Sequence, residues 1–188
     1  MRLETRLTER LLADPLRVRL LEALRTLALP DAWIGAGFVR DAVWDDLHAR
    51  PPSPPAGDVD VVWFDARRRA PGRDRVLERR LCALAMADWS VRNQARMHTG
   101  NGDAPYRDVG DAVRFWPETA TAVAVRLRAD GGLEVVAPYG LDDLFAGLIR
   151  PTPRFCGEKR AIVATRMSGK RWLERWPLLR VVTGAPET

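Results

Sequence analysis

The sequence predicts an α+β domain, a mixed sheet with flanking helices, and three stretches carry that prediction. Ala32, Trp33 and Ile34 are apolar and run into Gly35-Ala36-Gly37. Val39, Val43 and Leu47 then recur at helical spacing with Ala42 alongside, giving the order strand, tight turn, helix. Val59 to Phe64 reads as a second buried strand, entered through Asp58 and passing Asp60. Thr119 to Leu127 alternates and is followed by A-D-G-G and L-E-V-V-A, the pattern of a β-hairpin. At 188 residues the chain is expected to form one domain over 1–178, with a C-terminal tail at 179–188 whose T-G-A-P-E-T is expected to be loose.

Taken in order, the chain opens with a helix. Leu12, Leu16, Leu20 and Leu24 form a stripe at helical spacing, with Val18 and Leu21 beside it. Asp14 and Pro15 are start signals, and the arginines read as a solvated face. Leu29-Pro30-Asp31 turns into the first strand. The helix after Gly37 must stop before Pro51-Pro52. P-P-S-P-P-A-G at 51–57 is expected to span the sheet, not to bind. Asp74 to Met86 reads as a helix with Val76, Leu77, Leu81, Leu84 and Ala85 inward. D-W-S-V alternates, so Asp88 to Ala95 reads as a strand with Trp89 and Val91 toward the core. Asp88, Ser90 and Arg92 then share the opposite face. Thr99 to Tyr106 is rich in turn formers. Gly140-Leu141-Asp142-Asp143 opens a helix whose first-turn acids suit the dipole, with Leu144 and Phe145 as its core face. A last helix runs from Glu158 to Trp176, with Ile162, Met167, Trp172 and Trp176 inward and Lys159, Arg160, Lys170 and Arg171 among its bases. Helices are expected on the sheet face opposite the carboxylates, leaving those in an open cleft.

The chemistry gathers between Trp33 and Asp65. Gly35 and Gly37 lack a Cβ, so the turn can be tight and the backbone can approach a ligand closely. The first turn of the helix presents backbone N–H groups near Gly37, where an anionic phosphate is favoured. On a strand, residues i and i+2 share a face, so Asp58 and Asp60 point the same way, about 7 Å apart at their Cα atoms. Carboxylates so placed repel unless a cation lies between them. Mg²⁺ prefers one or two carboxylates plus phosphate oxygens and water. A phosphate-binding turn followed by a metal-binding acid pair is the equipment for phosphoryl or nucleotidyl transfer.

At these residues the chain resembles a known family. G-A-G-F-V-R-D (35–41) followed by D-V-D-V (58–61) resembles the DNA polymerase β-type nucleotidyltransferase superfamily. Gly37-Phe38-Val39-Arg40-Asp41 is most similar to the head domain of CCA-adding enzymes and bacterial poly(A) polymerases. From Trp33 to Trp176 the chain resembles a small bacterial nucleotidyltransferase-like family. That wider likeness rests on W-S-V-R-N-Q-A-R-M-H (89–98), W-P-E-T-A-T-A-V (116–123) and A-P-Y-G-L-D-D-L-F (137–145). The resemblance implies a polymerase β palm-like fold and transfer of a nucleoside monophosphate from an NTP to an acceptor hydroxyl. It implies Asp58 and Asp60 as ligands of Mg²⁺ or Mn²⁺, Gly35, Ala36 and Gly37 as the triphosphate cradle, and Arg40 as a neutralising charge. It also implies a third carboxylate from a neighbouring strand. Asp88 is the candidate, with Ser90 in the better-centred position and Glu118 as a second candidate. Ala36 stands where the superfamily usually has the first glycine of a pair. A base of the last helix is expected to reach the triphosphate, and spacing does not choose which. The acceptor stays open among RNA, protein and small molecule.

Other readings compete at several of these positions. Arg40 and Asp41 also read as an ion pair within the helix. Asn93, Gln94 and Arg96 read either as nucleotide contacts or as hydrogen bonds within the fold. His48 and His98 have no metal-ligand spacing and read as structural. Arg67 to Arg69 form a short basic loop of the kind that is usually exposed. A dinucleotide-binding domain fits less well, because Arg40 occupies the place of the third glycine of G-x-G-x-x-G and the acid pair precedes the second strand, but Asp65 does sit at that strand's end and keeps the reading open. A non-catalytic scaffold that binds nucleotide or RNA is kept open by Ser90 and Ala36. The net charge of +5 tolerates polyanions without requiring them. Cys82 and Cys156 form no C-x-x-C pair, which argues against a structural zinc and for a reducing compartment. M-R-L-E-T-R-L lacks the apolar run of a signal peptide, and no stretch approaches the ~18 apolar residues of a membrane span. A cytoplasmic location away from membranes is therefore expected.

Overall fold

The computed structural model describes residues 2–184 and 186. Its N-terminal leucine stripe is split at Asp14 into α1 (Leu3–Leu12) and α2 (Pro15–Thr26). The Asp14 carboxylate accepts from the backbone N–H of Leu16 and Arg17, and Pro15 occupies the first turn. The break resets the helical phase, so Leu7, Leu11, Leu20, Leu21 and Leu24 are buried while Leu12 and Leu16 are only half-buried. Arg17, expected on a wet face, is 1% exposed. Its Nε donates to the Phe38 carbonyl at 3.0 Å, and its Nη1 donates to Asp14 and, at 2.9 Å, to the Ser53 carbonyl. One buried guanidinium thus ties α2 to the following helix and to the proline loop.

The central sheet is built from β1 (Ala32–Gly35), β2 (Val59–Trp63), β3 (Trp89–Asn93), β4 (Ala124–Leu127) and β5 (Leu133–Val136). Helix α3 (Gly37–Leu47) joins β1 to β2, and α4 (Pro71–Leu84) crosses from β2 to β3. The spatial order is β3-β2-β1-β4-β5. Within this sheet, among the described residues, only β2 and β3 run parallel, as a helical crossover requires; its other pairings are antiparallel. The sheet is therefore mixed, as expected. Helices α5 (Met97–Asn101) and α6 (Val109–Val113) lie between β3 and β4. After the hairpin come α7 (Asp142–Phe145), β6 (Leu148–Ile149), α8 (Arg160–Gly169), α9 (Trp172–Arg175) and β7 (Arg180–Val181).

Ile34, Val59, Val61, Trp63, Trp89, Val91 and Val125 share the main core with residues of α1 to α4. On the opposite face Trp33, Val62, Ala122 and Ala124 meet Val109 and Val113 of α6. The carboxylate face is therefore covered at Val62.

Several expectations shift for identifiable reasons. Helix α4 starts at Pro71, a residue suited to a first turn, and this places Asp74 inside it, 2% exposed. Leu77, Leu81 and Ala85 point inward, whereas Val76 and Leu84 are exposed. The alternating run at 119–123 is not strand. The Glu118 carbonyl accepts from Thr121 N and Ala122 N, so a buried turn precedes β4. The last helix breaks at Arg171, which adopts φ +51°. Val163 takes the inward position expected of Ile162, which is exposed. Trp172 and Trp176 pack edge-on against Trp44, with centroids at 5.5 and 5.2 Å. Leu179 is buried and Arg180–Val181 pairs with β6, so the first residues of the segment set apart as a tail are docked on the domain. Residues 185, 187 and 188 of that segment lie outside the described residues. Among the described residues no helix is long and apolar enough to cross a membrane.

Candidate active site

The strand–turn–helix unit divides its glycine roles unequally. A Cβ on Gly35 would lie 2.8 Å from Trp116 Cη2 and 2.9 Å from the Val123 carbonyl. Gly35 is therefore demanded by packing against the segment before β4, and it does not line the cleft described below; it is not part of a cradle. Ala36 has φ +53° and ψ −123°, a conformation that costs little only for glycine. Its N–H donates to the Val123 carbonyl at 3.1 Å. Its own carbonyl accepts from Val39 N and Arg40 N at 3.2 and 3.0 Å. Ala36 thus starts α3 from a strained backbone. Gly37 faces the cleft, where a Cβ would sit 3.4 Å from Arg40 Nη2 and 3.8 Å from Asp41 Oδ2. The first N–H groups of a helix have no acceptor within it, and here the helix begins at residues that line the cleft.

That cleft has a volume of about 470 Å³. The turn contributes Ala36 and Gly37, α3 contributes Arg40 and Asp41, and β2 brings Asp60 with Asp58 just before it. Pro55, Ala56 and Gly57 come from the proline loop. Arg166, Gly169, Lys170, Trp172, Arg175 and Trp176 come from the α8–α9 arm. The proline loop is therefore more than a connector. Ser53 Oγ donates to Asp45 at 2.5 Å, Ala56 N donates to Asp41 at 3.4 Å, and Arg17 holds the Ser53 carbonyl. These bonds fold the loop back against α3.

Asp60 is the electrostatic centre. Burial, and then the neighbouring Asp58 charge, lift its pKa from 3.8 to about 6, while Lys170, Arg166 and Arg40 pull it down. A desolvated acid beside a second acid disfavours its own charge. A divalent cation relieves both effects, and two carboxylates with open space before them fit Mg²⁺ or Mn²⁺ completed by phosphate oxygens and water.

Arg40 is 5% exposed. Its Nε and Nη2 donate to Asp41 Oδ1 at 3.0 and 2.7 Å, and its Nη1 donates to Thr121 Oγ1 at 3.3 Å. The guanidinium lies over the rings of Trp44 and Trp172, at 5.0 and 4.5 Å from their centroids. The ion-pair reading of Arg40 and Asp41 holds, and the charge is fixed at the edge of the cleft instead of reaching across it.

Asp88 is not brought to the acid pair. It is exposed ahead of β3, its carbonyl accepts from Val59 N at 2.7 Å, and it does not line the cleft. The parallel register sets Asp60 opposite Ser90, so the β3 position beside the acids belongs to serine. Among the described residues no group of three or more His, Cys, Asp or Glu is arranged to hold a metal. Glu118, the second candidate, is 1% exposed and paired to Arg166, with Oε1 at 2.8 Å from Nε.

Asn93, Gln94 and Arg96 spend their polar groups inside the fold. Asn93 Nδ2 donates to the carbonyls of Asp65 and Arg68, Gln94 Nε2 donates to the Arg92 carbonyl, and Arg96 pairs with Asp74. His48 is structural: its Nε2 accepts from Leu178 N at 2.9 Å, which makes Nδ1 the donor to the Trp44 carbonyl. Of the bases named on the last helix, Lys170 lines the cleft. Lys159 instead donates to the Asn101 carbonyl, and Arg171 pairs with Glu174. Arg166 was missed although it stands one helical turn before Lys170 and shares its face; Arg175 was not legible because the break at Arg171 changes which bases beyond it face inward. No spacing signal announces a left-handed arginine.

A nucleotidyltransferase family model matches residues 22–181. A solved structure described as revealing a CCA-adding enzyme head domain is 32% identical, covers 96% of each chain and superposes with a TM-score of 0.84. The Thermotoga maritima CCA-adding enzyme complexed with tRNA is 18% identical, with a TM-score of 0.55 over 97% of this chain and 42% of its own. A CCA-adding enzyme in complex with CTP is 18% identical, with a TM-score of 0.57 over 97% of this chain and 43% of its own. This chain thus spans less than half the length of those two enzymes, and at that identity the likeness is one of fold. No curated protein matches. The family match and the shared sheet lead to one conclusion: the chain belongs to the nucleotidyltransferase family and has the fold of a CCA-adding enzyme head domain.

Proposed function

We propose that the protein is a metal-dependent nucleotidyltransferase that moves a nucleoside monophosphate from an NTP to an acceptor hydroxyl. One observation carries the reading. Asp60 is desolvated beside Asp58 in a cleft whose turn and arm supply helix N–H groups and cations. That layout is electrostatically satisfied when a divalent ion and a polyphosphate occupy it together. In this reading Asp58 and Asp60 hold the ion. The N–H groups beginning at Gly37 take phosphate oxygens, Lys170, Arg166 and Arg175 balance the triphosphate charge, and Arg40 adds a fixed positive charge. When bound, Mg²⁺ or Mn²⁺ would supply activation of the attacking oxygen and stabilisation of the leaving pyrophosphate. The CCA-adding enzyme complexes with CTP and with ATP support an NTP as substrate, and the tRNA complex supports RNA among the acceptor classes.

Calorimetry with ATP, CTP, GTP and UTP in the presence of Mg²⁺ tests the site, and incubation with labelled NTP, Mg²⁺ or Mn²⁺ and cell lysate tests the transfer. Binding by none of the nucleotides refutes the proposal. A second reading, a nucleotide-binding relative without turnover, is favoured by Ser90 opposite Asp60. Metal-dependent binding with no labelled product selects it.

A further inference from the structure

The conspicuous W-P-E-T stretch finds no use in nucleotide binding as described so far, yet it holds a buried acid. Glu118 is 1% exposed, and its carboxylate meets Arg166 through both oxygens, Oε1 to Nε at 2.8 Å and Oε2 to Nη2 at 3.3 Å. Its backbone is fixed on both sides. Its carbonyl accepts from Thr121 N and Ala122 N at 3.0 and 2.9 Å, and it bridges Pro151 in an antiparallel contact. A carboxylate so anchored has one direction in which to offer its oxygens. Arg166, by contrast, sits on α8, where only Val163 is buried and Ile162 is exposed. Helix α8 grips the body through Val163 and the half-buried Met167, and the Glu118–Arg166 fork is a polar tether beside them near its C-terminal end. That end continues into Gly169 and Lys170, which line the cleft with Arg166 itself.

We propose that Glu118 is a positioning residue for the triphosphate: it orients Arg166, and with it the cleft end of α8, toward the phosphates of a nucleotide bound before Asp58 and Asp60. The proposal rests on the nucleotide reading of the cleft. Two effects oppose each other. Glu118 withdraws some of the Arg166 charge from an incoming anion, and it removes the rotational freedom of a long side chain that would otherwise be ordered only on binding. A planar guanidinium held at Nε and Nη2 keeps Nη1 free as a donor of set direction, which is the geometry that suits phosphate. The orienting effect dominates, because the fork is already formed, on a carboxylate that is itself buried, before ligand arrives.

The test is a double-mutant cycle read by calorimetry with MgATP and, separately, with magnesium tripolyphosphate. E118Q keeps one acceptor for Arg166 and removes the charged fork. It is expected to weaken both ligands by about tenfold, the scale of a charge-assisted hydrogen-bond pair. R166Q is expected to weaken them at least as much, and E118Q placed on R166Q is expected to change neither. Equal loss for ATP and tripolyphosphate places the effect at the phosphates. If E118Q binds as wild type or more tightly, the orienting role is wrong. If E118Q weakens binding equally with and without Arg166, Glu118 acts as a general support of the fold and the proposal falls. Failure of wild type to bind either ligand overturns the nucleotide reading instead, so the two failures are distinguishable.

Discussion

Asp60 and Ala36 show how single residues set the site against the stability of the fold. The folded-state pKa of Asp60 lies at about 6, above its ordinary 3.8, so between those values the native state binds the extra proton. The Asp60 contribution to stability must then rise as pH falls through 6 and level off below about 4, and its full cost is present at pH 7.5. A shift of that size corresponds to a cost on the order of 2–3 kcal/mol. Asp60→Asn should therefore be more stable than wild type at pH 7.5 without metal, with the gap closing below pH 4; urea unfolding at both pH values checks it. The same variant should lose Mg²⁺-dependent NTP binding in calorimetry. Ala36 makes a parallel case. At φ +53° and ψ −123° an alanine is strained by roughly 1–3 kcal/mol, more than glycine costs in unfolded-state entropy. Ala36→Gly should raise the unfolding midpoint and leave nucleotide affinity within about twofold. A lower midpoint would mean that the turn relaxes in solution.

At the scale of elements, much of the fold was legible and the failures have local causes. The strand–turn–helix at 32–47 and the acid-led strand at 59–63 stood out because apolar period, glycine and proline agreed there. The run at 119–123 misled because small β-formers alternate in a buried turn as they do in a strand. The long C-terminal helix misled because nothing marks Arg171 as left-handed. Gly35 read as a ligand contact because a glycine forced by Trp116 looks, in sequence, like a glycine forced by phosphate. The third acid was misplaced for a subtler reason. Face alternation on β3 was read correctly, but face does not give register, and the register sets Ser90 against Asp60. Asp88→Ala should therefore change turnover less than about twofold, far from the ~10² of a lost general base. Ser90→Asp should raise metal affinity, which a Mn²⁺ titration of the two variants would show. A hundredfold loss in Asp88→Ala would restore Asp88 to the site.

Across the whole molecule, α3 is the member on which both sides of the cleft are hung. Asp45, 2% exposed, accepts from Ser53 Oγ at 2.5 Å on the proline loop and from Trp176 Nε1 at 2.8 Å at the end of the arm. Segments far apart in sequence thus meet on one buried carboxylate, and the cleft lies between them. The two bonds differ in surroundings. Ser53 is half-buried on a loop that Arg17 also holds, whereas the Trp176 ring is 1% exposed and packed on Trp44. Removing a donor from a buried carboxylate costs more where water cannot replace it. Trp176→Phe keeps the ring and deletes the N–H, and should cost about 1–3 kcal/mol in urea unfolding. Ser53→Ala should cost less than about 1 kcal/mol, because water can reach its side of Asp45. Ser53→Ala should nevertheless weaken MgATP binding severalfold, since Pro55 to Gly57 form one edge of the cleft and lose a restraint next to it. Equal stability losses in the two variants would show that water does not replace the Ser53 bond to Asp45; unchanged MgATP affinity in Ser53→Ala would show that the cleft is shaped by packing alone and that Asp45 does not tie its walls together.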